Sequence, residues 1–230
     1  MTFIPPRVDT PELLDLGGEA PAEVQRSLRD LERINRWLGG NAAITAHLYP
    51  RLRTAGGSVT VADVATGSAH LPHAISAWAR QHGRDVRLFA LDFSARHLEY
   101  AAAAPTTQLV QADALSLPFA PLGVDYYVSS LFLHHLPPDS VIAFLGDTYA
   151  RARRGIIMSD LIRGWLPLIG FKLIQPAFAC SYITRYEAIA SIKRGYLPAE
   201  LRAMARQAGI PQPRIYGHPL FRMTLVADKC

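Results

Sequence analysis

The chain has 230 residues, half of them hydrophobic and 19% charged, which suits one large globular domain with a substantial core. Its net charge of +5 raises nucleic acid as a partner, but the arginines are scattered and only Arg151, Arg153 and Arg154 cluster, so no nucleic acid is expected. The two cysteines, Cys180 and Cys230, offer neither metal-ligand spacing nor a disulfide framework. With no basic-then-apolar leader at the start, a reducing cytoplasm is the expected location and no metal is expected.

Residues 1–20 carry Pro5, Pro6, Pro11 and the pair Gly17–Gly18, and read as a loosely ordered arm. Val24, Leu28, Leu31, Ile34 and Leu38 recur every three or four residues, so 21–40 reads as a helix stopped by Gly39–Gly40. Residues 41–57 read as a second helix that Pro50 should end or kink. Together, 1–57 form an arm and helical cover ahead of a main domain over 58–230. From Ser58 the pattern alternates: strand 58–64, helix 71–83, strand 85–92, helix 94–104 capped by Ser94, strand 107–113. A β-branched and aromatic run over 124–135 reads as one strand, 138–155 as a helix and 155–160 as a strand. A helix over 198–210, with Pro198 at its start and Gly209 at its end, precedes two closing strands. Strand–helix alternation of this kind predicts an α/β, Rossmann-like, seven-stranded and mostly parallel sheet with helices on both faces. A ligand should then sit at the carboxyl ends of the strands.

One segment breaks the alternation. Residues 161–183 are strongly apolar but interrupted by Pro167, Gly170, Lys172 and Pro176, a poor membrane span. Lying directly after a strand end, the insertion 161–197 reads as a greasy lid over the crevice, and 161–180 leaves room for peripheral membrane contact.

Three carboxylates mark successive strand ends: Asp63 before the loop Ala65-Thr66-Gly67-Ser68-Ala69, Asp92 before Phe93, and Asp113 before Ala114. A carboxylate can accept a bidentate pair of hydrogen bonds from ribose hydroxyls, and a helix N-terminus offers free N–H groups beside the loop. A Rossmann dehydrogenase needs glycines that Gly67 lacks as partners. With this order of elements, the chain resembles the class I S-adenosylmethionine-dependent methyltransferases, more narrowly a bacterial small-molecule group related to the quinone-biosynthesis methyltransferases. The resemblance runs over roughly 24–228. It implies S-adenosylmethionine as cofactor, held by Asp63, Ala65, Gly67, Asp92, Phe93, Asp113, Ala114 and Ser130. The family loop has three glycines where this chain has Ala65, Gly67 and Ala69, and His70 stands where relatives often carry an acid. Alanine fits at negative φ; at positive φ each would cost about 1–2 kcal/mol.

The stretch from Ser129 to Ser140 carries His134 and His135 at a strand end. Read as extended backbone, their rings point to opposite sides and do not chelate one metal. Histidine's range suits a base for a phenolic acceptor, and Asp160, ending the next strand, suits its partner. Small-molecule O-methyltransferases that this chain resembles use such a pair. His134 is the favoured base, His135 its rival, and the alternative is that Asp160 caps a helix while both histidines are structural. The segment with Ser191, Lys193, Arg194 and Tyr196 resembles one that lines the acceptor pocket or holds the lid, and Arg36 and Trp37 either cover the cofactor or pack. The expected activity is O-methylation of a small lipophilic hydroxylated aromatic. C-methylation of a similar ring, methylation of RNA or protein, and a non-catalytic accessory protein that has lost the cofactor stand as alternatives.

Overall fold

A computed structural model describes residues 4–8, 18–101 and 107–229. Helix α1 (Pro21–Trp37) buries Val24, Leu28 and Ile34 on one face and starts with proline at its first position, where no N–H is missed. Gly39, at φ 80°, turns the chain out of α1 as expected of a glycine stop. Helix α2 (Gly40–Thr54) buries Ile44, Leu48 and Leu52. Pro50 does not end α2, which runs one further turn, its first carbonyl there accepting a hydrogen bond from the Thr54 hydroxyl.

The alternation that follows gives β1 (Val59–Val64), α3 (His70–Gln81), β2 (Val86–Asp92), α4 (Ala95–Glu99), β3 (Thr107–Gln111) and β4 (Val124–Ser130). Next come a single 3-10 turn (Leu133–His135), α5 (Pro138–Arg151), β5 (Ala152–Leu161), α6 (Trp165–Phe178), α7 (Tyr182–Arg194), α8 (Pro198–Gln207), β6 (Arg214–His218) and β7 (Arg222–Asp228). The seven strands form one sheet in the order β3-β2-β1-β4-β5-β7-β6. All neighbours are parallel except β7, which runs antiparallel to β5 and β6. The inner strands read as near-continuous apolar runs because helices cover both faces. One core layer packs Phe144, Leu145 and Leu201 on the sheet, and the other packs Ile44, Leu48, Leu71 and Ile75 against its opposite side.

Four boundaries differ from the sequence reading. The strand at 124 stops at Ser130, so His134 and His135 lie on a 3-10 turn and not on extended backbone. The strand from Thr107 stops at Gln111, short of Asp113. The helix from Pro138 stops at Arg151, and Ala152 to Arg154 already belong to β5. There, Arg153 and Arg154 both pair with Asp125, itself 1% exposed, so this basic cluster holds the base of the sheet together. Helix α4, capped by the Ser94 hydroxyl on His97 N, ends at Glu99, and the rest of the expected helix to 104 lies largely outside the described residues. Of the expected arm, Ile4–Val8 is fastened to the domain: the Pro5 carbonyl accepts from Arg163 and the Val8 N–H donates to the Lys193 carbonyl.

Candidate functional site

A cavity of about 680 Å³ opens above the carboxyl ends of the parallel strands. Asp63, Ala65, Gly67, Asp92, Phe93, Asp113, Ala114, Ser130, His134 and His135 all line it. Asp160 does not; it is fully buried behind His134. The apolar insertion contributes Pro167, Gly170, Phe171, Leu173 and Ile174 from α6 and Ser191 from α7, so it covers the crevice as a lid would. Lys193, Arg194, Tyr196, Arg36 and Trp37 are not among the lining residues.

The β1 loop is strained at both alanines. Ala65 has φ 58°, Gly67 58° and Ala69 57°, so all three alternate positions adopt the left-handed conformation that glycine takes at no steric cost. Of the two cases open from sequence, the positive-φ one holds: the loop keeps the backbone shape of three glycines and two of its residues bear the strain, about 1–2 kcal/mol each. Glycine at either position relieves that strain but frees the unfolded chain. The Ala65→Gly and Ala69→Gly variants should each gain about 0.5–1 kcal/mol net, seen as a higher urea midpoint at unchanged slope.

The three carboxylates differ in state. Asp63 accepts the Thr66 hydroxyl at 2.6 Å. Burial pushes its carboxyl up to about 7, against the Thr66 hydrogen bond and with help from the Asp92 charge. Asp92 accepts from Gly67 N at 2.8 Å, Ser94 N at 2.9 Å and His97 Nδ1 at 3.2 Å. Three donors leave one lone pair of the four in a carboxylate, so a vicinal diol can add one hydrogen bond directly and a second by replacing a present donor. Asp113 is exposed and turns back on Leu115 N at 2.8 Å. Beside it Phe93 is 76% exposed at the cavity edge, a free aromatic face for a planar ring.

At the other side of the cavity, His134 Nδ1 lies 2.6 Å from Asp160 Oδ1, while Asp160 Oδ2 accepts the His134 backbone N–H at 2.8 Å. Burial alone would raise the Asp160 carboxyl. The His134 charge and the hydrogen bonds from His134 and from the Leu161 N–H outweigh it and hold the carboxyl below its ordinary range. Asp160 thus does two things at once: one oxygen accepts a backbone N–H of the 3-10 turn and the other engages the His134 ring. The two histidine rings do not point to opposite sides, because the backbone is not extended. Their centroids are 4.4 Å apart at an interplanar angle of 34°.

Arg7 carries no local sequence signal, and it acts together with Arg194 and Tyr196 of the segment singled out by resemblance. Arg7 donates to the carbonyls of His134 and Leu136, Arg194 to those of His134 and His135, and the Tyr196 hydroxyl to that of Leu136. These carbonyls belong to a turn whose strand ended at Ser130, and three side chains from distant parts of the chain clamp it. His97, one turn after Asp92, could have been found from its i+5 spacing; Arg7 could not.

Residues 61–155 match the family described as Methyltransferase domain. The chain has a class I methyltransferase fold. No curated protein matches it in sequence. Among solved structures it is similar to a candidate O-methyltransferase from Nostoc punctiforme, at 17% identity and TM-score 0.60 over 96% of this chain and 64% of that one. It is similar to human N-acetylserotonin methyltransferase, solved with S-adenosylmethionine, at 12% identity and TM-score 0.64 over 91% of this chain and 56% of that one. Magnesium protoporphyrin IX methyltransferase from Synechocystis, solved with S-adenosylhomocysteine, matches at 16% identity and TM-score 0.56, with 84% of each chain covered. The chain thus spans under two thirds of the length of the first two. Against the methyltransferase fold, the insertion between β5 and α8 is built here as two helices, α6 and α7. No helix among the described residues is long and apolar enough to cross a membrane.

Proposed function

We propose that this chain is an S-adenosylmethionine-dependent methyltransferase that O-methylates a small, lipophilic, hydroxylated aromatic, with His134 as general base. The observation that carries this reading is the buried His134–Asp160 pair, in reach of the cavity whose opposite end is lined by Asp92, Phe93 and Asp113. The residues fit the cofactor: Asp92 for the ribose hydroxyls, Phe93 and Asp113 for the adenine, and the Ala65–Ala69 loop with Ser130 for the amino-acid end. When bound, the cofactor supplies a methyl carbon activated by its sulfonium. The chain's part is to orient the acceptor and take its proton. With Nδ1 turned to Asp160, Nε2 is the nitrogen that serves as acceptor, and the Asp160 carboxylate stabilises the imidazolium that forms. Phenols, near pKa 10, need such a base at neutral pH. The apolar lid favours a lipophilic ring over an RNA or protein substrate.

Calorimetric titration with S-adenosylmethionine and S-adenosylhomocysteine tests the reading. Micromolar affinity is expected. Asp92→Ala should weaken it by one to two orders of magnitude, since the one hydrogen bond gained outright by a charged group is worth about 1.5–3 kcal/mol and the second only replaces a present donor. The strained alanines favour one second reading, a fold that has lost its cofactor. Folded protein that fails to bind either ligand at millimolar concentration would support it and sink the enzyme reading.

A further inference from the structure

The cavity wall holds a buried cation whose hydrogen-bonding capacity is not filled among the described residues; the Asp160 charge on the neighbouring strand acts on it without a direct ion pair. Arg222, the first residue of β7, is 2% exposed. Its Nε donates to the Leu38 carbonyl at 2.9 Å, while its Nη1 is buried with no hydrogen-bond partner. Among the described residues no carboxylate forms an ion pair with it. Asp160, on the neighbouring strand, is engaged three times over by His134 and Leu161. His70 also lines the cavity, and its Nε2 is likewise buried without a partner. Burial first, then the Arg222 charge, holds His70 down to about 4, so at neutral pH its imidazole is uncharged and has one N–H to give. A buried guanidinium with an unsatisfied N–H burdens the folded chain, and an anionic ligand at that N–H would offset the burden.

We propose that Arg222, assisted by His70, is the binding site for a carboxylate carried by the methyl acceptor. The acceptor is then a hydroxylated aromatic acid. This rests on the methyltransferase reading for the word acceptor, but the anion site stands on the chain's own atoms. Its position favours the acceptor over the cofactor. The ribose and adenine candidates belong to β2 and β3, and β7 is four strands beyond β2, a lateral step of about 19 Å; only the Ala65–Ala69 loop and Ser130 come nearer. Between them stands the His134–Asp160 pair on β4 and β5. Around Arg222 the wall is apolar, with Leu38, Leu161, Leu220 and Phe221, so the low dielectric strengthens a charge pair formed there. A planar carboxylate meets the guanidinium edge with two oxygens, and the aromatic body lies on the leucines.

The test compares 2-naphthoate with 2-naphthamide, the same shape without the charge, by calorimetry and thermal shift on the full chain. The acid should bind at least tenfold more tightly than the amide to the wild type. Arg222→Met should erase that preference, and Arg222→Lys should keep part of it. Should Arg222→Met not fold, the acid-over-amide preference of the wild type and its loss in Arg222→Gln decide the matter. A third arm compares S-adenosylhomocysteine with methylthioadenosine, which lacks the amino-acid end. Their affinity ratio should be the same in wild type and Arg222→Met. No acid preference in the wild type overturns the site. A collapsed S-adenosylhomocysteine ratio in Arg222→Met gives the anion to the cofactor and overturns the assignment to the acceptor. An acid preference in a wild type that binds no S-adenosylhomocysteine would leave the anion site standing and sink the enzyme reading alone.

Discussion

Replacing His134 with alanine is expected to lower kcat for methyl transfer by 10²- to 10⁴-fold with little change in affinity for S-adenosylhomocysteine. General-base removal is worth that range. The ribose and adenine candidates Asp92, Phe93 and Asp113 belong to β2 and β3, so binding there should survive. Asp160→Asn should lose as much or more, because the amide leaves the shape of the pair intact while presenting the wrong partner to Nδ1. The double variant should be no worse than the more damaging single, as expected of two groups acting as one. Raising the pH should recover much of the His134→Ala rate with a phenolic acceptor, since hydroxide in solution then removes the proton. Equal losses at pH 7 and pH 10 would mean that His134 holds the turn and does not move a proton. His135→Ala is the control: as the rival base it should cost little, and a larger loss there than at His134 would exchange the two roles.

The second large effect is on stability. Asp63 has its carboxyl raised to about 7 from 3.8. For a group raised in the folded state, the favourable contribution is fully present below the unfolded value near 4. It is lost as pH rises toward 7 and absent above it. The folded chain therefore carries a burden from this carboxylate at pH 8 that it does not carry at pH 4. Asp63→Asn keeps an oxygen to accept the Thr66 hydroxyl and cannot ionise. It should stabilise the ligand-free protein by roughly 2–4 kcal/mol at pH 8, about 5–10 °C in Tm for a chain of this size, and by almost nothing near pH 4. Denaturation midpoints of the two proteins across that interval give the answer. Parallel curves would show that Asp63 does not titrate there.

How much of this was legible beforehand depends on whether a feature is local. The strands around Asp63, Asp92 and Asp113 could be read because a parallel sheet buries both faces and spells itself as apolar runs that stop at a turn. The histidine turn could not. Residues 124–135 contain no glycine or proline, and the break comes at Leu131, which adopts φ 58°. Leucine gives no hint of a left-handed conformation; the fold imposes it through Asp160, Arg7, Arg194 and Tyr196. The end of α5 was hidden likewise. No glycine or proline separates Arg151 from Ala152, and the switch to β5 is set by burial of Ala152 and by Asp125 drawing in Arg153 and Arg154. The strain at Ala65 and Ala69 was visible as a question and only the backbone could answer it. Arg222 gave no signal at all, since one arginine in a closing strand looks like any other until its neighbours are known.

The fastening of Ile4–Val8 has a practical consequence for handling this protein. By sequence, the first twenty residues invite trimming, being rich in proline and glycine and ahead of any periodic pattern. Yet Arg7 reaches carbonyls 127 and 129 positions downstream, and Pro5 is tied to Arg163. Such distant contacts close only after nearly the whole chain exists, so the histidine turn is among the last parts to set. A shortened version starting at α1 would purify as a well-folded sheet, melt near the parent, and bear its histidines on a loosened hinge. Its poor turnover would then be blamed on the wrong acceptor.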